Sequence, residues 1–198
     1  MFDRIVLASG NAGKLREFAE MFDPLGCEIL PQSQFSIPEC PEPYGTFVEN
    51  ALAKARHAAK NSGLPALADD SGICVPALGG APGVLSARYA GGNPKSDTAN
   101  NAKLSANLAD CSDKSCYYVC VLVLLRHEND PQPVIAEGFW HGQWRDQAEG
   151  TNGFGYDPHF YLPKHGLTVA QLSEKMKNAE SHRAQALCEL LRKIEMSH

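Results

Sequence analysis

Residues 66–73 read Ala66-Leu67-Ala68-Asp69-Asp70-Ser71-Gly72-Ile73. A short apolar run leads into two adjacent carboxylates, then a hydroxyl and a glycine. The run predicts a buried strand, and two readings of its end stand side by side. In one, Asp-Asp-Ser-Gly is a turn, because short polar side chains and glycine suit turn geometry. In the other, the acids face a ligand. Neighbouring carboxylates repel unless a cation or proton relieves them, and Mg²⁺ takes one or two protein carboxylates together with substrate phosphates. The small residues around the pair leave a ligand room to approach the backbone.

Working outward toward the N-terminus, Thr46-Phe47-Val48-Glu49 is a capping box that predicts a helix, with Gly63 and Pro65 at its exit. Phe47, Ala51, Ala55 and Ala58 form its apolar stripe. Asn50 and Lys54 are four apart and share a face that can meet a ligand. Glu49 serves equally as the capping partner or as a ligand for metal or water. Four prolines, Pro31, Pro38, Pro41 and Pro43, with Glu39 and Glu42 among them, make the preceding stretch an ordered loop or edge segment. Farther back, Ile5-Val6-Leu7-Ala8 predicts a buried first strand. Leu15, Phe18, Ala19 and Phe22 then mark one helical face, stopped by Pro24 and Gly26. Between them lies Ser9-Gly10-Asn11-Ala12-Gly13-Lys14. A Gly-containing loop that enters a helix N-terminus favours an anion. It is not a Walker loop, which needs Gly where Ala8 stands and Ser or Thr where Leu15 stands.

On the C-terminal side, the Gly-rich run from Gly79 carries Ser86, Arg88 and Tyr89, with Arg88 a phosphate contact or an interface residue. A helix is expected over Asp97 to Leu108, a strong strand over Cys116 to Arg126 and a return strand over Val134 to Trp144. His127 and His141 are expected at strand ends, and no histidine pair has zinc-ligand spacing. Gly150-Thr151-Asn152-Gly153-Phe154-Gly155-Tyr156-Asp157-Pro158 sets two aromatics in a glycine loop before a strand at Phe160-Tyr161-Leu162. Such aromatics stack on a nucleobase or anchor the loop in the core. The tail predicts helix from Thr168-Val169-Ala170-Gln171 onward, with a stripe of Ala184, Leu187, Leu191 and Ile194 after Ser181-His182-Arg183. Ser181 suits an N-cap. The cations His182 and Arg183 then sit where a helix dipole disfavours them, which points to a ligand, with Lys177 near in sequence.

The chain has 198 residues, 43% of them hydrophobic and 21% charged, which suits one globular domain or one domain with two lobes. No apolar run approaches a membrane span. The seven cysteines include no CxxC pair and do not suggest a disulfide framework. A cytoplasmic location and no membrane association are expected. A net charge of −5 speaks against general nucleic-acid binding, so a polyanionic ligand requires a local cluster of Lys and Arg with a metal.

Taken together, Ser9-Gly10-Asn11-Ala12-Gly13-Lys14, Thr46-Phe47-Val48-Glu49-Asn50-Ala51, Ala68-Asp69-Asp70-Ser71-Gly72, Gly79-Gly80-Ala81-Pro82-Gly83, Phe154-Gly155-Tyr156-Asp157-Pro158 and Ser181-His182-Arg183 resemble the inosine triphosphate pyrophosphatase family in order and along nearly the whole length. Ser9 stands where bacterial members often have Thr. The resemblance implies an α/β fold with a long curved mixed sheet, flanked by helices, forming a single two-lobed domain over residues 1–198 with a nucleotide cleft and a homodimeric state. It implies Mg²⁺-dependent hydrolysis of ITP, dITP and XTP to the monophosphate and pyrophosphate, cleansing the nucleotide pool. Asp70 matches the proton acceptor, and Asp69, Asp70 and Glu42 match the metal-binding acids. Ser9, Gly10, Asn11, Ala12, Gly13, Lys14, Lys54 and Ser71 match the triphosphate side of the substrate site. Phe154, Gly155, Tyr156, Asp157, Lys177, His182 and Arg183 match the base side. Hypoxanthine and xanthine carry an acceptor at purine position 6 where adenine carries a donor, so donors from His182, Arg183 or backbone would disfavour ATP. A nucleotide sensor without turnover and the related Maf-like pyrophosphatases are the competing readings. The first has no use for the Asp69-Asp70 pair, and the Phe154 loop with Ser181-His182-Arg183 speaks against the second.

Overall fold

The computed structural model describes residues 2–92 and 94–196. It is a mixed α/β structure. Seven strands are ordered β2-β1-β3-β4-β5-β6-β7, with β1 Arg4–Leu7, β2 Glu28–Pro31, β3 Ala66–Cys74, β4 Ser115–Leu125, β5 Val134–Trp144, β6 Phe160–Leu162 and β7 Leu167–Thr168. The helices are α1 Ala12–Phe22, α2 Phe47–Ser62, α3 Asp97–Leu108, α4 Glu174–Glu180 and α5 His182–Met196. β1 pairs in parallel with β2 and β3, while β5, β6 and β7 pair antiparallel in turn. β4 is buried along nearly its whole length, whereas β5 alternates buried and exposed residues, as a strand with one wet face should. Gly142 lets β6 close on β5, because a Cβ there would overlap the Phe160 ring.

The chain divides into two compact units. The first holds the residues up to Asp70, Cys120–Gly138 and the segment from Arg183 onward. Its core joins Ile5 and Leu7 of β1, Phe18 and Phe22 of α1, Leu67 of β3, and Leu187 and Leu190 of α5. The second unit holds Ser71–Val119 and Phe139–His182. Its core gathers Ile73, Leu104, Leu108, Tyr118, Trp144 and Phe160.

Several expectations change. β3 does not end at its acids but runs through Asp69, Asp70, Ser71 and Gly72 to Cys74. Strand pairing overrides the turn chemistry of those residues, and the turn reading falls. Residues 28–30, unread in the sequence, form β2 together with Pro31 of the proline segment by pairing with β1. The tail is broken rather than continuous. Thr168 and Gln171 do make a capping box, but around a single turn of 3-10 helix, and Ser173 caps a separate short helix, α4. Ser181 is the extended residue that closes α4, directly before α5. Ala19 lies on the exposed side of α1, and His141 sits inside β5, its ring 5.6 Å from that of Tyr117, not at a strand end. None of the seven cysteines is in a disulfide. Among the described residues no helix is long and apolar enough to cross a membrane.

Candidate active site

Because β3 continues straight through the acidic pair, successive side chains leave it on opposite faces. The partners of Asp69 and Asp70 differ accordingly. Asp69 follows Leu67 by two residues and turns, like it, toward α1 and α5. Its Oδ2 accepts from Lys14 Nζ at 2.7 Å and lies 3.9 Å from Arg183 Nε. Asp70 turns toward α2. Lys54 Nζ stands 3.2 Å from its Oδ1, and Asn50 Nδ2 donates to its Oδ2 at 3.2 Å.

These surroundings set opposite protonation behaviour. Burial opposes ionisation of Asp69, but the charges of Lys14, Arg183 and Lys54 outweigh it and hold the carboxyl well below the usual range. Burial also pushes Asp70 up. The attraction of Lys54 and Lys14 does not cancel burial plus the repulsion of Glu42 and Asp69, so its pKa ends raised. Lys54 is the reverse case. Burial disfavours its charge, yet Asp69, Asp70 and Glu42 together raise its pKa, so it stays an ammonium.

Glu42 comes from the proline segment, and its Oε1 takes Lys54 Nζ at 2.6 Å. Asn50 fixes that segment, accepting from Tyr44 N at 3.1 Å and donating to Tyr44 O at 3.2 Å. Glu42 and Asp70 therefore share one cationic group, the Lys54 ammonium. Among the described residues no three His, Cys, Asp or Glu side chains gather as a metal cage. A donor set of two carboxylates fits Mg²⁺, which keeps waters and takes phosphate oxygens, better than a metal wanting an all-protein shell. Asp69, also expected to bind metal, is engaged by Lys14.

The loop at α1 is built by capping. Asn11 Oδ1 accepts from Gly13 N at 2.9 Å and Lys14 N at 3.1 Å, and Ser9 Oγ accepts from Asn11 N at 3.2 Å. Gly10 and Ala12 complete the turn that delivers Lys14 to Asp69. Glu17, which sequence reasoning missed, receives Arg183 Nη1 at 2.8 Å. It lies one turn beyond Lys14, and that spacing was its only signal. Arg183 is thus held in the first unit by Glu17 and Asp69.

The second unit holds the aromatic loop. Phe154 is 37% exposed, whereas Tyr156 is buried and its hydroxyl donates to Ser86 O at 2.7 Å. The two sequence readings therefore divide: Phe154 faces outward and Tyr156 anchors. Asp157, expected at the base, is buried and accepts from Tyr118 Oη at 3.0 Å, Phe154 N at 3.0 Å and Lys177 Nζ at 3.0 Å. Its carboxylate pegs the loop in place. A Cβ at Gly153 would overlap that carboxylate, so the loop wraps it closely. Lys177, held by Asp157, stands 4.7 Å from the centroid of the Phe154 ring. His182 is buried with its ring stacked on Tyr118, centroids 4.8 Å apart. Nothing in the sequence marked Tyr118, since an aromatic in a strand reads as core. Ser71 continues β3 after Asp70, in the second unit.

The family model described as Ham1 family matches residues 5–193. The chain belongs to the Ham1 family. The expected resemblance therefore holds, and this Ham1 chain has close relatives. It is 72% identical over 194 residues to the dITP/XTP pyrophosphatase of Neisseria meningitidis serogroup A / serotype 4A, covering 98% of each chain. With that of Chromobacterium violaceum it shares 60% over 195 residues, again 98% of each. Its fold is similar to that of a HAM1 protein from Coxiella burnetii, at a TM-score of 0.90 and 49% identity over 100% of both chains. The Staphylococcus aureus Ham1 protein gives 0.87 at 39% identity, over 98% of this chain and 100% of that one.

Proposed function

We propose that this chain is a nucleoside triphosphate pyrophosphatase that hydrolyses dITP, XTP and ITP to the monophosphate and pyrophosphate. The observation that carries the reading is the acidic pair itself, with Asp69 held by Lys14 at 2.7 Å and Asp70 set beside Lys54 and Asn50, each at 3.2 Å, where burial raises its pKa. A general base works best when its pKa approaches the working pH. Asp70 takes the proton from water as the water oxygen bonds to the α-phosphorus and the bond from that phosphorus to the pyrophosphate oxygen breaks. Lys54 and Lys14 hold the triphosphate, with Asn50 keeping Asp70 oriented. Phe154 stacks on the purine, and Lys177, with its three donors, addresses the keto groups that distinguish these bases from adenine. Support comes also from the relatives named dITP/XTP pyrophosphatase.

Glu42 and Asp70 would hold the Mg²⁺. Bound there, the metal neutralises charge on the phosphates. We further read residues 1–198 as one two-lobed catalytic domain, acting as a homodimer in the cytoplasm to cleanse the nucleotide pool, without membrane or nucleic-acid partners.

The test is pyrophosphate release from dITP, XTP, ITP, GTP and ATP, each with and without Mg²⁺. Metal-dependent release that is fast for the first three is expected. Equal rates on all five would keep the hydrolase and discard the base selectivity. Tight binding with no release would make the protein a nucleotide sensor and end the reading.

A further inference from the structure

Phe154 is presented on a loop whose backbone is left-handed at Gly150, Gly153 and Gly155. Glycine-rich loops have many conformations of similar energy, and Asp157 restrains this one at the Phe154 N–H. The first turns of α3 add a second restraint at the next residue. Asp97 Oδ2 accepts the N–H of Gly155 at 2.9 Å, and Asn101 Nδ2 donates to the Gly155 carbonyl at 3.1 Å. Four residues apart, the two acceptor and donor groups share one helix face. One face thus grips both polar groups of the residue that follows Phe154. The contacts span 58 and 54 residues of sequence, so they are not local turn chemistry.

Asn101 is buried, and its Oδ1 has no hydrogen-bond partner. A buried acceptor left unmatched is destabilising, and the next residues on that side of α3, Leu104 and Leu108, are ordinary core. An apolar residue would pack at 101 without that cost, so the amide is explained by its hold on Gly155. Asp97 also opens α3, where an acid complements the helix dipole. That role needs only a charge. The bond to Gly155 needs only an oxygen.

We propose that Asp97 and Asn101 are positioning residues for the purine, clamping Gly155 so that Phe154 is already set to stack when a nucleoside triphosphate arrives. The inference rests on Phe154 being the base platform. A preset platform spares the ordering that binding would otherwise require, so its loss appears in KM before kcat.

Two measurements on the full chain test this. Hydrogen exchange without nucleotide should be about tenfold faster in residues 150–157 of Asp97→Ala and Asn101→Leu, with β4 protection kept. With dITP, each variant should raise KM about 3–10-fold, more than it lowers kcat. Asp97→Asn keeps the oxygen and loses the charge, so it should stay near the wild type in both. Unmoved exchange overturns the clamp, as does Asp97→Asn failing like Asp97→Ala, which would assign Asp97 to the dipole. A wild-type protein that releases no pyrophosphate from dITP overturns the base platform and the positioning role with it. An active wild type with unmoved variants overturns the clamp alone.

Discussion

Asp70 and Asp157 are both buried carboxylates with a lysine beside them, yet they belong to regions built on different plans. Around β3, acids and cations outnumber neutral partners. Asp69, Asp70 and Glu42 face Lys14, Lys54 and Arg183, and together these charges shift the protonation of Asp69, Asp70 and Lys54. Around the Phe154 loop, Asp157 accepts a phenol, a backbone N–H and an ammonium, and it serves to fix shape. The first region tunes a proton, and the second holds a surface still. Mutations should therefore act on kcat and pH dependence in the first and on KM in the second.

The sharpest break of that contrast is Asp70→Asn. Loss of the general base should lower kcat by about 10²–10⁴-fold with KM little changed. Stability should behave in the opposite sense. A raised folded pKa means that the fold prefers the protonated acid, so its stabilising share is present below the unfolded pKa of about 3.9 and lost as pH rises through the folded value. At neutral pH the neutral Asn removes an unfavourable charge, and the melting temperature should hold or rise. A kcat close to wild type would take Asp70 out of the reaction.

Asp69→Asn is the mirror case. Its depressed pKa makes it stabilising above the unfolded value, with that share lost as pH falls below about 3.9 toward the folded value. Removing one member of a buried ion pair costs about 3–5 kcal/mol. At about 2–4 °C per kcal/mol for a chain of this size, thermal unfolding at pH 7 should fall by roughly 6–20 °C. The gap to wild type should close as the pH is lowered through 4 and beyond. A constant gap across that range would mean that the charge is not what Asp69 contributes.

In the second region, Phe154→Ala should act through KM. Base stacking is worth about 1–3 kcal/mol, so KM should rise roughly 5–150-fold, and Phe154→Trp should restore most of it. A variant that lost kcat instead would move Phe154 from the platform to the chemistry.

The same contrast explains what the sequence made legible. Thr46 as a cap, the Phe18 and Phe22 face, α3 from Asp97 to Leu108 and β5 from Val134 to Trp144 were all readable, because capping and periodicity are local. β2 was not, since Glu28-Ile29-Leu30-Pro31 has no pattern of its own and becomes a strand only beside β1. The straight course of β3 was hidden by residues whose local preference is a turn, and with it the separation of Asp69 from Asp70. A cation at a helix start needs a partner, and nothing local names one for Arg183. That partner is Glu17, 166 residues away, together with Asp69. The resemblance places Asp157 on the base side, and nothing in the order of residues shows that three donors converge on its carboxylate.

The smallest effect is the most selective. Glu42 raises the pKa of Asp70 by repulsion, and it shares the Lys54 ammonium with it. Glu42→Gln removes the repulsion and frees Lys54 to favour the Asp70 carboxylate, and both changes lower the Asp70 pKa. With Asp70 as the proposed base, the rate would follow its deprotonated form, so the acid limb of kcat/KM for dITP should move to lower pH. Measured over a range of Mg²⁺ concentrations, that shift separates two roles of Glu42. A limb that moves with a modest drop in plateau assigns Glu42 to tuning the base. A limb that stays in place while the plateau falls, and recovers as Mg²⁺ is raised, assigns it to the metal alone and removes the electrostatic coupling that sets the first region apart from the second.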